Sequence, residues 1–336
     1  MKILFNCHVP FMLAHGGAQI QIEQTKAALD KIGVETEFLR WWDDQQTGDI
    51  LHHFARIPTH LLKLAQARGM KVVMADLLTE QGSRSPARLR LHRWMSRLLK
   101  RTLPYSLVAS FSWDSYLLAD ACIALTPHEA WLMSYVFGSP PARIHVVPNG
   151  VEEAFLQSAP ATRGQWLICT ATITERKRVL ELALVAVHAQ TPLWIIGKAY
   201  SDSDPYANRF LQLAKQHPKI LRFEGAVNDR AQLARIYREA RGFVLLSAME
   251  SLSISALEAA ACECPLLLSD LPWARTVFKE SVSYCPITDD TARSSTVLKR
   301  FYDDAPKLKP PAKPLTWIEI ATQLKGIYAG LLRTSR

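Results

Sequence analysis

No pair of cysteines in this chain has the C-x-x-C spacing of zinc and thiol–disulfide motifs, and no apolar run approaches the length of a transmembrane helix. The six cysteines, at 7, 122, 169, 262, 264 and 285, sit mostly in apolar surroundings, as reduced core cysteines do. That pattern argues for the cytoplasm and against a structural metal site. A membrane span needs about 18 or more consecutive apolar residues, which are missing. The start, MKILFNCHVPFML, has one lysine and a broken apolar run, so it reads as a first buried strand at Ile3–Asn6 and not as a secretion signal. Internal repeats are absent, and the one biased stretch is KLKPPAKP at 307–314. Acidic residues are outnumbered: 40 Lys and Arg against 31 Asp and Glu give a formal charge of +9. Such an excess favours an acidic partner, either a phosphorylated small molecule, an anionic membrane or nucleic acid. The excess clusters on one predicted helix and no nucleic-acid motif accompanies it, so nucleic acid is set aside.

The chain has 336 residues, enough for two domains of ordinary size. Short apolar runs rich in β-formers alternate with helical patterns. The runs are KILFN (2–6), TEFLR (36–40), DILHHF (49–54), KVVMAD (71–76), CIALT (122–126), IHVVP (144–148), WLICTA (166–171), LWIIG (193–197), LRFEG (221–225), GFVLLS (242–247) and CPLLLS (264–269). Helical patterns fall at 18–32, 112–119, 128–137, 178–190, 206–216, 229–240 and 253–262. This alternation predicts α/β architecture with parallel sheets covered on both faces. The series restarts after PNGVEEAF (148–155), where QSAPATRGQ (157–165) reads as a linker. The expected organisation is a first Rossmann-like domain over 1–155 and a second over 156–311, with 312–336 closing the chain. Ligands of such sheets bind at the carboxyl ends of the strands, which makes a cleft between two facing domains the natural site.

Within SAMESLSISALEAAACECP (247–265) two glutamates stand in an otherwise apolar stretch. A buried carboxylate is costly unless something pairs with it. GFVLLS is the strand, Ala248–Ser251 the loop at its carboxyl end, and the following helix starts near Ser251 or Ser253, either of which can cap it. The free N–H groups of its first turn favour an anion. Glu250 in the loop and Glu258 on the helix would flank that anion and accept hydrogen bonds from hydroxyls attached to it. A diphosphate carrying a ribose on one side and a sugar on the other satisfies the pattern. The alternative is two surface glutamates around an ordinary helix.

The E-x7-E spacing after a strand resembles the signature of retaining GT-B glycosyltransferases, above all glycosyltransferase family 4, the glycosyl transferases group 1. Four further stretches are similar to that family in the same order. HGGAQIQIEQ (15–24) resembles its Gly-Gly loop, where Gly16 and Gly17 would let backbone approach the donor phosphate; it lacks the G-x-G-x-x-G form of a dinucleotide site. VVPNGVEEAF resembles the interdomain segment, FEGAVNDRAQLARIYREARGFVLLS the segment near the nucleotide base, and TWIEIATQLKGIYAGLL (316–332) the closing helix that crosses back to the first domain.

The resemblance implies a GT-B fold, two doubly wound Rossmann-like domains facing across a cleft. It further implies transfer of a sugar from a nucleoside-diphosphate sugar to a hydroxyl of a glycan or lipid-linked acceptor, with retention and without a metal cofactor. Arg176 and Lys177 would stabilise the leaving diphosphate, together with Gly16, Gly17 and the amides of Leu252, Ser253, Ile254 and Ser255. Glu258 would hold the ribose, Glu250 the donor sugar, and Gly225 and Val227 would lie near the base. Asp76 stands where relatives often carry a histidine facing the reacting sugar, which makes it a catalytic candidate; His53 and Asn149 are acceptor-side candidates, and His52 is a further one. Each of these also reads as simple packing. Asp43-Asp44 and Asp289-Asp290 are not placed like a metal-binding pair at a strand end. Departures from the family pattern are Ser251 after the first glutamate, Glu263 before the proline, and Ala171-Thr172 where Gly-Arg is usual. The rival readings are a GT-B module that binds a nucleotide-sugar or glycan without turnover, and a sugar phosphorylase or epimerase.

RSPARLRLHRWMSRLLKRTLPY (84–105) carries seven basic residues and no acid. Pro86 and Pro104 bracket a helix, and Leu91, Trp94, Met95, Leu98 and Leu99 form one stripe on it. The pattern predicts an interfacial helix on an anionic membrane, which would make the protein cytoplasmic with a peripheral membrane contact. The plainer alternative turns the stripe into the core and leaves the arginines solvated.

Overall fold

A computed structural model describes residues 1–7, 11, 16–157 and 161–333. His15 of the Gly-Gly stretch and 158–160 of the expected linker lie outside the described residues. The chain divides into two compact units, Met1–Asn149 with Trp317–Arg336, and Gly150–Thr316. Each is a parallel six-stranded sheet among the described residues, and together they have the doubly wound α/β architecture that the alternating pattern predicts. No helix among the described residues is long and apolar enough to cross a membrane.

In the first unit the strands are β1 (Lys2–Cys7), β2 (Glu35–Phe38), β3 (Ile50–Phe54), β4 (Lys71–Ala75), β5 (Ala121–Ala124) and β6 (Ile144–Val146), ordered β2-β1-β3-β4-β5-β6. β5 and nearly all of β4 are buried on both faces, which is why they read as unbroken apolar runs and not as alternating ones. A buried carboxylate fastens two loops at the carboxyl edge: Glu129, in the helix Pro127–Tyr135, accepts from the backbone N–H of Leu78 at 3.1 Å and of Leu125 at 2.8 Å. The closing helix Trp317–Arg333 packs on the helix Gly17–Lys31. Its Tyr328 hydroxyl lies 2.5 Å from Nδ1 of His52, which stacks on Phe54 with ring centroids 4.4 Å apart.

In the second unit the strands are β7 (Leu167–Thr170), β8 (Leu193–Ile196), β9 (Leu221–Phe223), β10 (Gly242–Leu245), β11 (Leu266–Ser269) and β12 (Ser283–Cys285), ordered β12-β11-β10-β7-β8-β9. Gly150–Leu156 belongs here because Glu152 and Phe155 are tied to the helix Arg230–Glu239 and its neighbours. Gly197, at the carboxyl end of β8, has φ 156°, and a Cβ there would overlap the carbonyl of Ala171. Only glycine lets these two strand ends approach.

Several elements escape the sequence patterns. β12 is a three-residue edge strand, SYC, too short to show a period. Thr291–Asp304 is a helix whose buried face, Ser294, Ser295, Leu298 and Phe301, is half serine. Thr59–Ala67 and Pro272–Phe278 are also helical. The expected helix at 112–119 shrinks to Ser115–Leu118, since Ser112 takes a left-handed φ of 52°. All six cysteines are free.

Burial, reinforced by the neighbouring His53, depresses the pKa of His52 to about 3. The folded imidazole stays neutral where the unfolded one is protonated, so the unfolded state binds more protons and stability falls as pH drops below 6.5. The slope is about 1.4 kcal/mol per pH unit until the folded pKa is reached. His52→Phe is expected to remove this component. Urea unfolding of both proteins between pH 7 and 4 checks it: their stability difference should close, or reverse, toward acid.

Candidate functional site

β7 and β10 are neighbours in the second sheet, so the loops that follow them emerge side by side at its carboxyl edge. After β7 the chain makes a 3-10 turn, Glu175–Lys177, capped by Thr174, and Arg178 turns left-handed at φ 52° to start the helix Val179–His188. The turn is joined to the loop after β10. The Ala248 N–H donates to the Arg176 carbonyl at 2.8 Å, and Arg176 Nη1 donates to the Met249 carbonyl at 3.2 Å.

This join answers what Glu250 holds. Its carboxylate is buried, and Oε1 takes an ion pair from Lys177 Nζ and another from Arg176 Nη1 at 3.3 Å. Lys177 is the stronger partner, because its side chain is 13% exposed against 41% for Arg176 and water screens the latter. Burial alone would raise the Glu250 pKa; the Lys177 and Arg176 charges overcome burial and bring it below the ordinary value. The carboxylate therefore stays ionised and aims two cations at one place.

Glu258 has its own cation, which sequence reasoning missed. It is buried on the helix Ile254–Ala261. Oε1 pairs with Arg230 Nη2, and Oε2 accepts from the Tyr237 hydroxyl at 3.1 Å. Arg230 also donates through Nε to Glu152 at 2.7 Å and lies over the Phe155 ring, 4.7 Å from its centroid. Here burial prevails: it raises the Glu258 pKa although Arg230 and Tyr237 oppose it. Two carboxylates eight residues apart are thus pushed in opposite directions, as groups with different tasks are. Ser253 is the helix cap, accepting from the Ala256 N–H at 3.3 Å. Leu252, Ser253 and Ile254 are buried and Ser255 half-buried. Gly225 has φ 85°, and its carbonyl accepts from the Gly197 N–H at 3.0 Å. Gly225 and Val227 are half-buried in the segment leading from β9 to Arg230.

The first unit's candidates have other partners. Asp76, just past β4, receives Arg56 Nε at 3.3 Å and the Tyr116 hydroxyl, while Arg56 lies over Phe137 at 4.7 Å. His53 on β3 is fully buried, its Nδ1 3.1 Å from the Asn6 amide nitrogen. Asn149 is buried and lines a cavity of about 20 Å³ with His52, Gln21 and Trp317. Gly16 precedes the helix Gly17–Lys31 with φ 140°. The two acidic pairs have structural tasks: Asp43 is bound by Arg40 at 2.7 and 2.9 Å, and Asp290 caps the helix Thr291–Asp304.

Residues 165–303 match the family model of the glycosyl transferases group 1, so the second unit carries a glycosyltransferase domain. Solved structures share the fold of the entire chain. Sucrose-phosphate synthase from Thermosynechococcus elongatus is 18% identical with TM-score 0.64, covering 99% of each chain. Anabaena HepE, solved with UDP and glucose, is 14% identical with TM-score 0.62, covering 98% of this chain and 99% of its own. AviGT4, a glycosyltransferase involved in avilamycin A biosynthesis, is 14% identical with TM-score 0.62, covering 99% and 98%. No curated protein matches in sequence. The fold is therefore GT-B, built from two Rossmann-like units.

Removing Arg230 would leave Glu258 buried without its cation. Arg230→Met is expected to destabilise by about 3–5 kcal/mol at pH 7. A carboxyl with a raised folded pKa keeps its proton where the unfolded one has lost it, so its stability contribution is present at low pH and lost as pH rises. The penalty should therefore shrink as pH falls from 7 toward 4.5. Urea denaturation of the single variant and of Arg230→Met/Glu258→Gln checks this; the double variant should recover most of the loss.

Proposed function

We propose that this chain moves a sugar from a nucleoside-diphosphate sugar to a hydroxyl of a glycan or lipid-linked acceptor, with retention of anomeric configuration and without a metal ion. The observation that carries the reading is the buried Glu250 ion pair, which holds Lys177 and Arg176 beside the start of the Ile254–Ala261 helix. Cations fixed in advance stabilise developing charge without reorganising at the moment of reaction. Lys177 and Arg176 neutralise the departing diphosphate, and the first-turn amides of Leu252–Ser255 add their dipoles. Glu258, with lone pairs beyond those used by Arg230 and Tyr237, accepts from the ribose hydroxyls. Glu250 accepts from the donor sugar, and Gly225 and Val227 border the base. Gly16 and Gly17 let backbone approach a donor phosphate. HepE has been solved with UDP-glucose, which supports a uridine nucleotide as the first donor to test.

In the transfer step the acceptor oxygen bonds to the anomeric carbon from the face the diphosphate leaves. The bond from that carbon to the diphosphate oxygen breaks, and the acceptor proton passes to the departing phosphate. No side-chain nucleophile takes part. Asp76, held by Arg56 and the Tyr116 hydroxyl, faces the reacting sugar with the catalytic groups, and His53 and Asn149 serve the acceptor side. The free cysteines support a cytoplasmic setting.

Lys177→Ala is expected to lower kcat by about 10²–10³, whereas Glu258→Gln should weaken nucleotide binding on the order of tenfold with the protein still folded. A thermal-shift series with UDP, GDP, ADP and dTDP sugars identifies the donor through its mass-action stabilisation, and NMR of the product reads its anomeric configuration. Activity that survives EDTA supports the metal-free reading; an inverted product, or a strict requirement for Mg²⁺ or Mn²⁺, overturns it. Donor binding without hydrolysis or transfer would define a binding module instead.

A further inference from the structure

The helix Pro86–Thr102 has two unlike sides. One belongs to the first unit's core: Leu89 and Ser96 are buried, and Leu99 packs inward. Two of its cations are committed to this side. Arg93 lies 4.1 Å over the Tyr135 ring, and Lys100 pairs with Asp114 at 2.8 Å. The other side is open. Leu91 is 54% exposed, Trp94 61%, Met95 44% and Leu98 41%, and their three- and four-residue spacing sets them in one stripe. Four of the five residues of the predicted stripe therefore face solvent. Arg88, Arg90, Arg97 and Arg101 are also exposed and make no ion pair among the described residues. Just past the helix, Leu107 and Phe111 are exposed as well.

A single exposed leucine needs no explanation, but a contiguous apolar stripe does. Two occupants compete. A second copy docking by a two-fold axis would bring the same arginines against each other, with no acid on the helix to relieve them. An anionic bilayer meets both requirements at once, since its headgroups pair with the arginines and its acyl boundary receives the stripe. We infer that this face docks on an anionic lipid surface, with Leu91, Trp94, Met95 and Leu98 entering the headgroup–acyl boundary and Arg90, Arg97 and Arg101 meeting lipid phosphates. Such a surface would hold the protein where a lipid-linked acceptor lies, but its evidence is independent of the donor site.

Sedimentation with phosphatidylglycerol and with phosphatidylcholine vesicles, at low and high salt, tests it on the full chain. Binding is expected on the anionic vesicles only, falling with salt. Each basic side chain near such a surface is worth about fivefold in affinity, so Arg90→Gln/Arg97→Gln/Arg101→Gln should weaken binding on the order of a hundredfold. Trp94→Ser/Leu98→Ser should weaken it too, at low salt as well as high. A nucleotide-sugar thermal shift unchanged in both variants shows that they fold and that the donor site is separate. No sedimentation of the folded wild type with anionic vesicles at low salt overturns the inference. So does equal binding to neutral vesicles, or full binding by the Trp94→Ser/Leu98→Ser variant. A wild-type dimer that this variant converts to monomer, seen by light scattering, would assign the face to self-association instead.

Discussion

The arrangement of the second unit depends on one electrostatic constraint: carboxylates taken out of water at the carboxyl edge of a parallel sheet must be met by cations. Desolvating such a group costs several kcal/mol, so neither Glu250 nor Glu258 survives burial alone. Each recruits a cation from a different loop. Lys177 and Arg176 come from the turn after β7, and Arg230 comes from the helix after β9. The carboxylates thereby lock together segments more than seventy and nearly thirty residues apart. They also leave basic side chains gathered where a helix N-terminus already favours anions.

The same device appears in the first unit with a different purpose. Glu129 accepts from the backbone N–H groups of Leu78 and Leu125. It fastens the two loops that carry them. Asp76 is held at a strand end by Arg56 and Tyr116, while Phe137 covers the guanidinium. Buried acids in this chain thus take both charged and neutral donors.

Much of the fold is legible along the chain because a parallel strand buried on both faces must be apolar throughout. KVVMA and GFVL announce themselves in that way. Elements failed to show where burial did not require apolar side chains. The inner face of Thr291–Asp304 uses Ser294 and Ser295, and Ser295 reaches the Val185 carbonyl at 3.0 Å, so its period is invisible to a hydrophobicity reading. The amphipathic stripe of Pro86–Thr102 was visible, but its direction was not. A period says that residues share a face and nothing about which way the face turns.

The sequence by itself determined the alternation of strands and helices, the strands β1 to β11, the restart of the strand series, the E-x7-E spacing and the Arg176-Lys177 pair, all of which are local patterns. Tertiary structure alone decided the partners. Arg230 lies 28 residues from Glu258 and Glu152 a further 78 away, and no spacing rule joins them. Their meeting follows from strand order, which sets β10 beside β7 and lets the helices after β9 and β10 pack together. It also set the two glutamates apart. Read along the chain they look alike, yet the charge of Lys177 lowers the pKa of one and burial raises that of the other. A side chain's field is set by neighbours in space, and these are known only once the chain has folded.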